Sequence, residues 1–216
     1  MDNADKSLRK FVEVVIAPKI EADALEYLQL HKNLRVIEHD INELDFHHDY
    51  RYLNGTLLTQ DTDDLLYDKM DSVTAINFEA DKNKDLVEFG LRAIRSIKSN
   101  SIVIVRRING SIQMLGMGAG QPNRLVATKL AIEKCKENLR RDNPGISDQE
   151  ISKALGDTIL ISDAFFPFED NVELAAAEGI RKIVQPGGSI RDKQVFETCD
   201  RLGVSMLLTG IRHFKH

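Results

Sequence analysis

The last third of the chain alternates short apolar runs with segments of helical spacing, and this alternation limits the fold more than any other feature. "TILISDA" reads as a strand, "NVELAAAEG" as a helix, "IRKIVQPGGS" as a strand and loop, "RDKQVFETCDRLG" as a helix and "VSMLLTG" as a strand. Gly179 and Gly203 fall where the two helices should end. Strands separated by helices of this length are joined by crossovers and lie parallel in a layered α/β fold.

The first forty residues repeat the theme. "FVEVVIAP", "EADALEYLQLH" and "NLRVIEH" predict a β-α-β unit. The stretch from about 40 to 82 is polar, acidic and irregular, with one strand expected at "GTLLTQ", and reads as an excursion from the main sheet. "NKDLVEFGLRAIRSIK" predicts a helix over 83–98, with Leu86, Phe89, Leu91, Ile94 and Ile97 on one face. "SIVIVRR" and "IQMLGMG", joined at Asn109-Gly110, predict a β-hairpin. After "GAGQPN" a helix runs through "RLVATKLAIEKCKENLRR" to a loop at "DNPG". The expected architecture is one α/β domain over 1–216 with a mixed sheet, because the hairpin supplies an antiparallel pair.

Composition narrows the function. The chain has 216 residues, 42% hydrophobic and 29% charged, which is ordinary for a globular protein. A net charge of −5 argues against nucleic acid or an anionic membrane as partner. No apolar run is long enough for a membrane span and the N-terminus lacks a signal-peptide core, so a cytoplasmic location is expected. Cys135 and Cys199 lie in helical segments, without CxxC or histidine spacing, and read as small buried hydrophobes, not zinc ligands or a disulfide.

Four loops follow strands or open helices, where α/β proteins bind ligands. In "KSNS", Asn100 can donate to and accept from a carboxamide or purine-like edge, or the segment simply ends a helix. "GMGAGQPNR" brings flexible backbone to a helix start, with Pro122 suited to the first turn and Arg124 beside the exposed N–H groups, an arrangement for an anion or merely a turn. It matches neither GxGxxG nor GxxxxGK[ST]. "SDAFFPFEDN" crowds Phe165, Phe166 and Phe168 between Asp163 and Asp170; Pro167 excludes a regular element, which favours a pocket for an amino-heterocycle over pure core, although Asp170 could be only a helix cap. "QPGGSIRD" can present backbone N–H groups from Gly187, Gly188 and Ser189. The strand-like C-terminal "TGIRHFKH" adds Arg212 as a phosphate-binding candidate, with His213 and His216 as titratable groups, unless it is a frayed tail. No Ser or Cys beside a His marks an activated nucleophile, and no HxE with PCxxC marks a zinc deaminase.

Taken together and in order, "SNS", "GAGQPNR", "SDAFFPFEDN", "VQPGGSIRD" and "IRHFKH" resemble the C-terminal half of the transformylase domain of the bifunctional AICAR formyltransferase/IMP cyclohydrolase family of purine biosynthesis. AICAR is aminoimidazole-carboxamide ribonucleotide. The opening "EVVIAPKIEADALEYL" is similar too, so the resemblance runs from about Ser7 to His216. It implies a cytidine-deaminase-like α/β/α fold without the zinc ligands, and active sites shared across a homodimer. It assigns Asn100, Arg124, Phe165 and Arg212 to AICAR, and Leu125, Asp170, Ser189 and Ile190 to 10-formyltetrahydrofolate. Some members hold a structural potassium ion, at positions matching Ser99, Ser101 and Asp163.

The family's proton-transfer pair, a Lys-His dipeptide followed by Pro, has no counterpart; His31-Lys32 is in reverse order and His47-His48 lacks the lysine. Glu169 stands where many relatives have Arg, and Pro122-Asn123 where others have different polar pairs. The expectation is a formyltransferase half-protein completed by a partner that bears Lys-His, alongside an IMP cyclohydrolase. The alternative is a non-catalytic module for folate or nucleotide.

Overall fold

The structure, a computed structural model, describes residues 12–40 and 47–215. The stretch before Val12, residues 41–46 of the excursion and His216 lie outside the described residues. The chain divides into two compact units, Met1–Thr62 and Asp63–His216, with the boundary inside the segment expected to be an excursion.

The first unit contains the expected β-α-β: β1 (Val14–Ala17) and β2 (Arg35–Glu38) pair in parallel, connected by α1 (Ala22–Gln29). None of the residues of α1 is buried, and Val14, Ile16, Tyr27, Leu30 and Ile37 are all exposed. The excursion holds the strand expected at "GTLLTQ" and one that the sequence reading did not include. "HDYRYL" is itself a strand, β3 (His48–Leu53), paired antiparallel with β4 (Thr56–Asp61). Every residue of both strands is exposed, and Asn54 and Gly55, at φ of 43° and 87°, make the turn between them. His48 faces Asp61 at 3.8 Å across the hairpin.

The second unit is a three-layer α/β/α structure around a six-stranded mixed sheet of order β5-β10-β9-β8-β6-β7. These strands are β5 (Asp71–Ser72), β6 (Ile102–Ile108), β7 (Ser111–Gly118), β8 (Ile159–Ser162), β9 (Lys182–Gln185) and β10 (Ser205–Leu208). The last three are parallel; β6 is antiparallel to β8 and β7, and β5 to β10. The alternation explains both faces. Val103, Val105, Ile159, Ile161, Val184 and Leu207 point to α2 (Ala80–Arg95), whereas Ile102, Ile104, Leu160, Ile183, Met206 and Leu208 point to the other helix layer. That layer comprises α3 (Arg124–Asp142), α4 (Asp148–Gly156), α5 (Asp170–Ala177) and α6 (Asp192–Leu202).

Two details depart from expectation. The buried stripe of α2 is Asn83, Leu86, Val87, Gly90, Leu91 and Ile94, and Phe89 is 37% exposed. Gly90 lies at the centre of the stripe, against Ile161, and at about 100° per residue Phe89 falls on the rim. Helix α4 is the second departure, an element beyond the "DNPG" loop. Its signal is a capping box: Ser147 Oγ accepts from the Glu150 N–H at 3.3 Å, and Glu150 Oε2 accepts from the Ser147 N–H at 2.8 Å. The Ser147 hydroxyl holds the Glu150 carboxyl below the ordinary glutamate range.

The β6–β7 turn is as expected, with Asn109 and Gly110 at φ of 48° and 77°. Where β7 ends, α3 lies close against it: a Cβ on Gly118 would come within 2.0 Å of the Ala127 carbonyl oxygen. Only glycine permits this approach, which sets where the first turn of α3 meets the sheet. Gly118→Ala should therefore cost about 1–3 kcal/mol in urea unfolding, because backbone must move to admit the methyl. A loss below about 0.5 kcal/mol would show that α3 is not held this way.

Candidate functional site

The topology gathers the sequence-predicted loops on one edge of the sheet. The parallel strands β8, β9 and β10 present their C-terminal ends there; β6, running opposite, presents its N-terminal end, and β7 its C-terminal end. Residues 98–101, 119–124, 163–170, 186–191 and 209–215 are thus neighbours at the rim of the second unit. Open α/β sheets bind ligands at such an edge.

Arg124 is the centre of this rim. It is the first residue of α3, behind the N-cap Asn123, whose side chain accepts from the Val126 N–H at 2.9 Å. Pro122 therefore precedes the cap and is not in the first turn. The guanidinium does not project freely beside the helix N–H groups, as spacing suggested. It is 8% exposed, with Nη2 at 2.5 Å from Asp163 Oδ1 and Nε donating to Ser162 Oγ at 2.9 Å. Asp163 is fully buried, and its second oxygen accepts from the Ser101 N–H at 3.0 Å.

Asn100 joins the same group from the other side. Its side-chain amide donates to the Gln121 carbonyl at 3.0 Å, and the two backbones exchange hydrogen bonds at 3.3 and 3.2 Å. The Ser99–Asn100 peptide is cis. The C-terminal segment closes the edge as an irregular strip, neither strand-like nor frayed. The His213 N–H donates to the Asp163 carbonyl at 2.9 Å, and Ser99 and Lys215 hold each other through N–H donors at 2.8 and 3.1 Å.

The aromatic stretch serves both purposes that its sequence left open. Phe166 is completely buried core, with its N–H donating to buried Gln185 Oε1 at 2.8 Å, while Phe165 is half-buried and Phe168 is 49% exposed. The Arg191 guanidinium lies 4.8 Å from the Phe168 ring centroid, so the "QPGGSIRD" loop touches the "FFPF" loop. Asp170 is the first residue of α5, not its cap, and its Oδ1 accepts from Asn171 Nδ2 at 2.8 Å. Ser189 accepts from the Arg191 N–H, Ile190 is fully exposed and Leu125 half-buried. Arg212 is exposed, with its guanidinium 5.5 Å from the Phe214 ring centroid.

Thr128 and Asn171 were missed by the sequence reading. Thr128 Oγ1 lies 3.0 Å from the Arg124 carbonyl and 2.8 Å from Asn171 Oδ1, so buried polar groups link the backbone at Arg124, not its guanidinium, to Asp170 through two helices. Thr128 stands one turn from Arg124 and Asn171 directly beside Asp170, which was the available signal.

The fit of the expected potassium site is mixed. The buried Ser101 hydroxyl has no hydrogen-bond partner, and hydroxyl oxygens suit a hard monovalent cation. However, both Asp163 oxygens are occupied and Arg124 already neutralises its charge. Among the described residues no group of three or more His, Cys, Asp or Glu could hold a metal ion. Cys135 and Cys199 are buried, and burial pushes each thiol up to about 12, so neither is a thiolate at neutral pH.

A family model for the AICARFT/IMPCHase bienzyme matches residues 1–134, more than half of the chain. The chain belongs to the AICARFT/IMPCHase bienzyme family. The bifunctional purine biosynthesis proteins PurH of Clostridium acetobutylicum, Clostridioides difficile and Aquifex aeolicus are 40%, 41% and 39% identical to it over 213, 218 and 217 residues. Those alignments cover 99–100% of this chain but 38% of each relative. The AICARFT/IMPCHase match begins at residue 1 and therefore takes in the β-α-β unit as well as the rim from Asn100 to Arg124.

Removing Arg124 alone would leave Asp163 as a buried, unpaired carboxylate. Arg124→Met should cost about 3–5 kcal/mol in chemical denaturation. The double variant Arg124→Met/Asp163→Asn should cost less than the sum of its single variants, as members of one pair do. Additive losses, or an Arg124→Met loss below about 1 kcal/mol, would mean that the pair does not hold the rim together.

Proposed function

We propose that this chain supplies the folate pocket and part of the AICAR pocket of an AICAR formyltransferase, acting in the cytoplasm in purine biosynthesis. Asn100, Arg124, Phe165 and Arg212 would face AICAR; Leu125, Asp170, Ser189 and Ile190 would face 10-formyltetrahydrofolate. The observation that carries this reading is the buried series Arg124 carbonyl–Thr128–Asn171–Asp170, which ties the first turn of α3, where Arg124 starts, to a carboxylate suited to an amino-pterin. Half-buried Phe165 and exposed Phe168 lie on the loop that leads into Asp170 and offer area to a flat ring.

The reaction joins the 5-amino nitrogen of AICAR to the formyl carbon as the bond from that carbon to folate N10 breaks. The amine loses a proton and N10 gains one, giving formyl-AICAR and tetrahydrofolate. Groups on this chain can orient both reactants, but residues 1–216 contain no Lys-His dipeptide followed by Pro, the pair to which the family resemblance assigns proton transfer; the Lys-His at Lys215-His216 is not followed by Pro. General acid–base help is worth about 10²–10⁴-fold, so the chain alone should bind far better than it turns over.

A partner polypeptide is therefore part of the proposal: a Lys-His-bearing half, a second copy of this chain, or both, with IMP cyclohydrolase supplied separately. The unburied Val14, Ile16, Leu30 and Ile37 of the β-α-β unit support this, since covering each such side chain is worth about 1.5–3 kcal/mol. A potassium ion at Ser99, Ser101 and Asp163 rests on the orphaned Ser101 hydroxyl, and no catalytic step depends on it. No helix among the described residues is long and apolar enough to cross a membrane. The lack, within residues 1–216, of a Lys-His dipeptide followed by Pro also favours a second reading, a non-catalytic folate or nucleotide module.

Calorimetric titration separates the two ligands. Asp170→Ala should weaken binding of a reduced folate at least tenfold while AICAR affinity changes less than about twofold. Equal folate affinity in the variant and the wild type would remove Asp170 from the pterin site.

A further inference from the structure

His213 is turned opposite to its neighbours. Arg212 and Phe214 are exposed, whereas the His213 side chain is 1% exposed and held on two sides. Its Nδ1 lies 2.7 Å from Asp63 Oδ2 and its Nε2 lies 3.1 Å from the Leu66 carbonyl oxygen. The anchoring segment is itself fixed: Arg95, at the end of α2, donates to the carbonyls of Asp63 and Asp64 at 2.9 and 3.3 Å, and the Asp68 N–H donates to the Thr209 carbonyl at 3.1 Å.

We propose that Asp63 and His213 form a positioning clamp for Arg212. By pinning the residue between them, the clamp fixes the outward direction of both Arg212 and Phe214, whose ring lies 5.5 Å from the guanidinium. Arg212 is thereby presented to the anionic ribonucleotide along a defined line instead of sampling its rotamers, and the entropy of ordering a long side chain is met in the free protein. The ligand named here rests on the assignment of Arg212 to AICAR made above. The clamp itself rests only on the contacts around His213. Neither clamp residue touches the ligand.

The test uses the full chain and three forms of it: wild type, Asp63→Ala, and Asp63→Asn, whose amide oxygen can still accept from Nδ1. Backbone hydrogen exchange of the His213 and Lys215 amides should quicken at least tenfold in Asp63→Ala and return to within about threefold of wild type in Asp63→Asn, as loss of a hydrogen bond to a charged partner implies. Amides of α6 should exchange alike in all three. AICAR affinity should fall about tenfold in Asp63→Ala and recover in Asp63→Asn, with reduced-folate affinity unchanged. Unaltered exchange at residues 213 and 215 overturns the clamp. Altered exchange with unaltered AICAR affinity overturns its positioning role. Should the wild type bind no AICAR, the assignment of Arg212 to that ligand fails, and the exchange measurement alone still decides the clamp. If Asp63→Ala loosens the whole unit, His213→Gln, able to serve only one of the two acceptors, replaces it with the same local expectation.

Discussion

A buried arginine paired with a buried aspartate is the constraint around which this rim is organised. Asp163 follows the last residue of β8 with no exposure to water, where an isolated carboxylate would be far too costly to keep ionised. Arg124 meets it from the start of α3, and the Ser101 N–H meets it from the strand beside it. Each of these positions is set by something else. Gly118 lets α3 close on β7, Asn123 starts the helix at the right residue, and the β6–β8 pairing brings Ser101 opposite Asp163. Such pairs add little net stability compared with apolar packing, but breaking one is expensive, so they fix geometry more than they add stability.

From that pair the arrangement spreads in two directions. Through the Arg124 backbone carbonyl, Thr128 and Asn171 it reaches Asp170, and through the Asp163 carbonyl it reaches the C-terminal strip at His213. A guanidinium, a carboxylate and exposed aromatic rings are thus held on one sheet edge by buried hydrogen bonds rather than by loop packing alone. A site that must orient an anionic nucleotide and a flat heterocycle needs this kind of preorganisation. The bienzyme family membership gives the arrangement its chemical context, and the chain spans 38% of the length of the relatives it matches.

Much of the second unit was legible from sequence because its strands and helices carry strong periodicity. The β8–α5–β9–α6–β10 series and the Asn109-Gly110 hairpin follow from local pattern and turn chemistry. Of the β3–β4 hairpin, β4 was legible at "GTLLTQ" and the turn at Asn54-Gly55 carries the same chemistry as Asn109-Gly110, but β3 was not read, since every side chain in it is exposed. Helix α4 was readable at Ser147 and Glu150, but not from a long apolar stripe, as it buries only Ile151 and Leu155. The loops were located correctly, yet the state of their side chains was not. Arg124 and Asp163 stand 39 positions apart and His213 and Asp63 stand 150 apart, and only the sheet order makes such residues neighbours. Likewise, nothing local distinguishes Phe166, buried beside Gln185, from Phe165, half-exposed one residue before it.

The division of labour between this chain and a partner is the central claim, and AICAR-dependent consumption of 10-formyltetrahydrofolate measures it directly. The purified chain alone should show turnover reduced by about 10²-fold or more relative to a mixture with a polypeptide that carries the Lys-His half. Adding that polypeptide should restore formyl-AICAR production, and Arg124→Met should suppress it again. Full turnover by the chain alone, or none with any Lys-His-bearing partner, would contradict it.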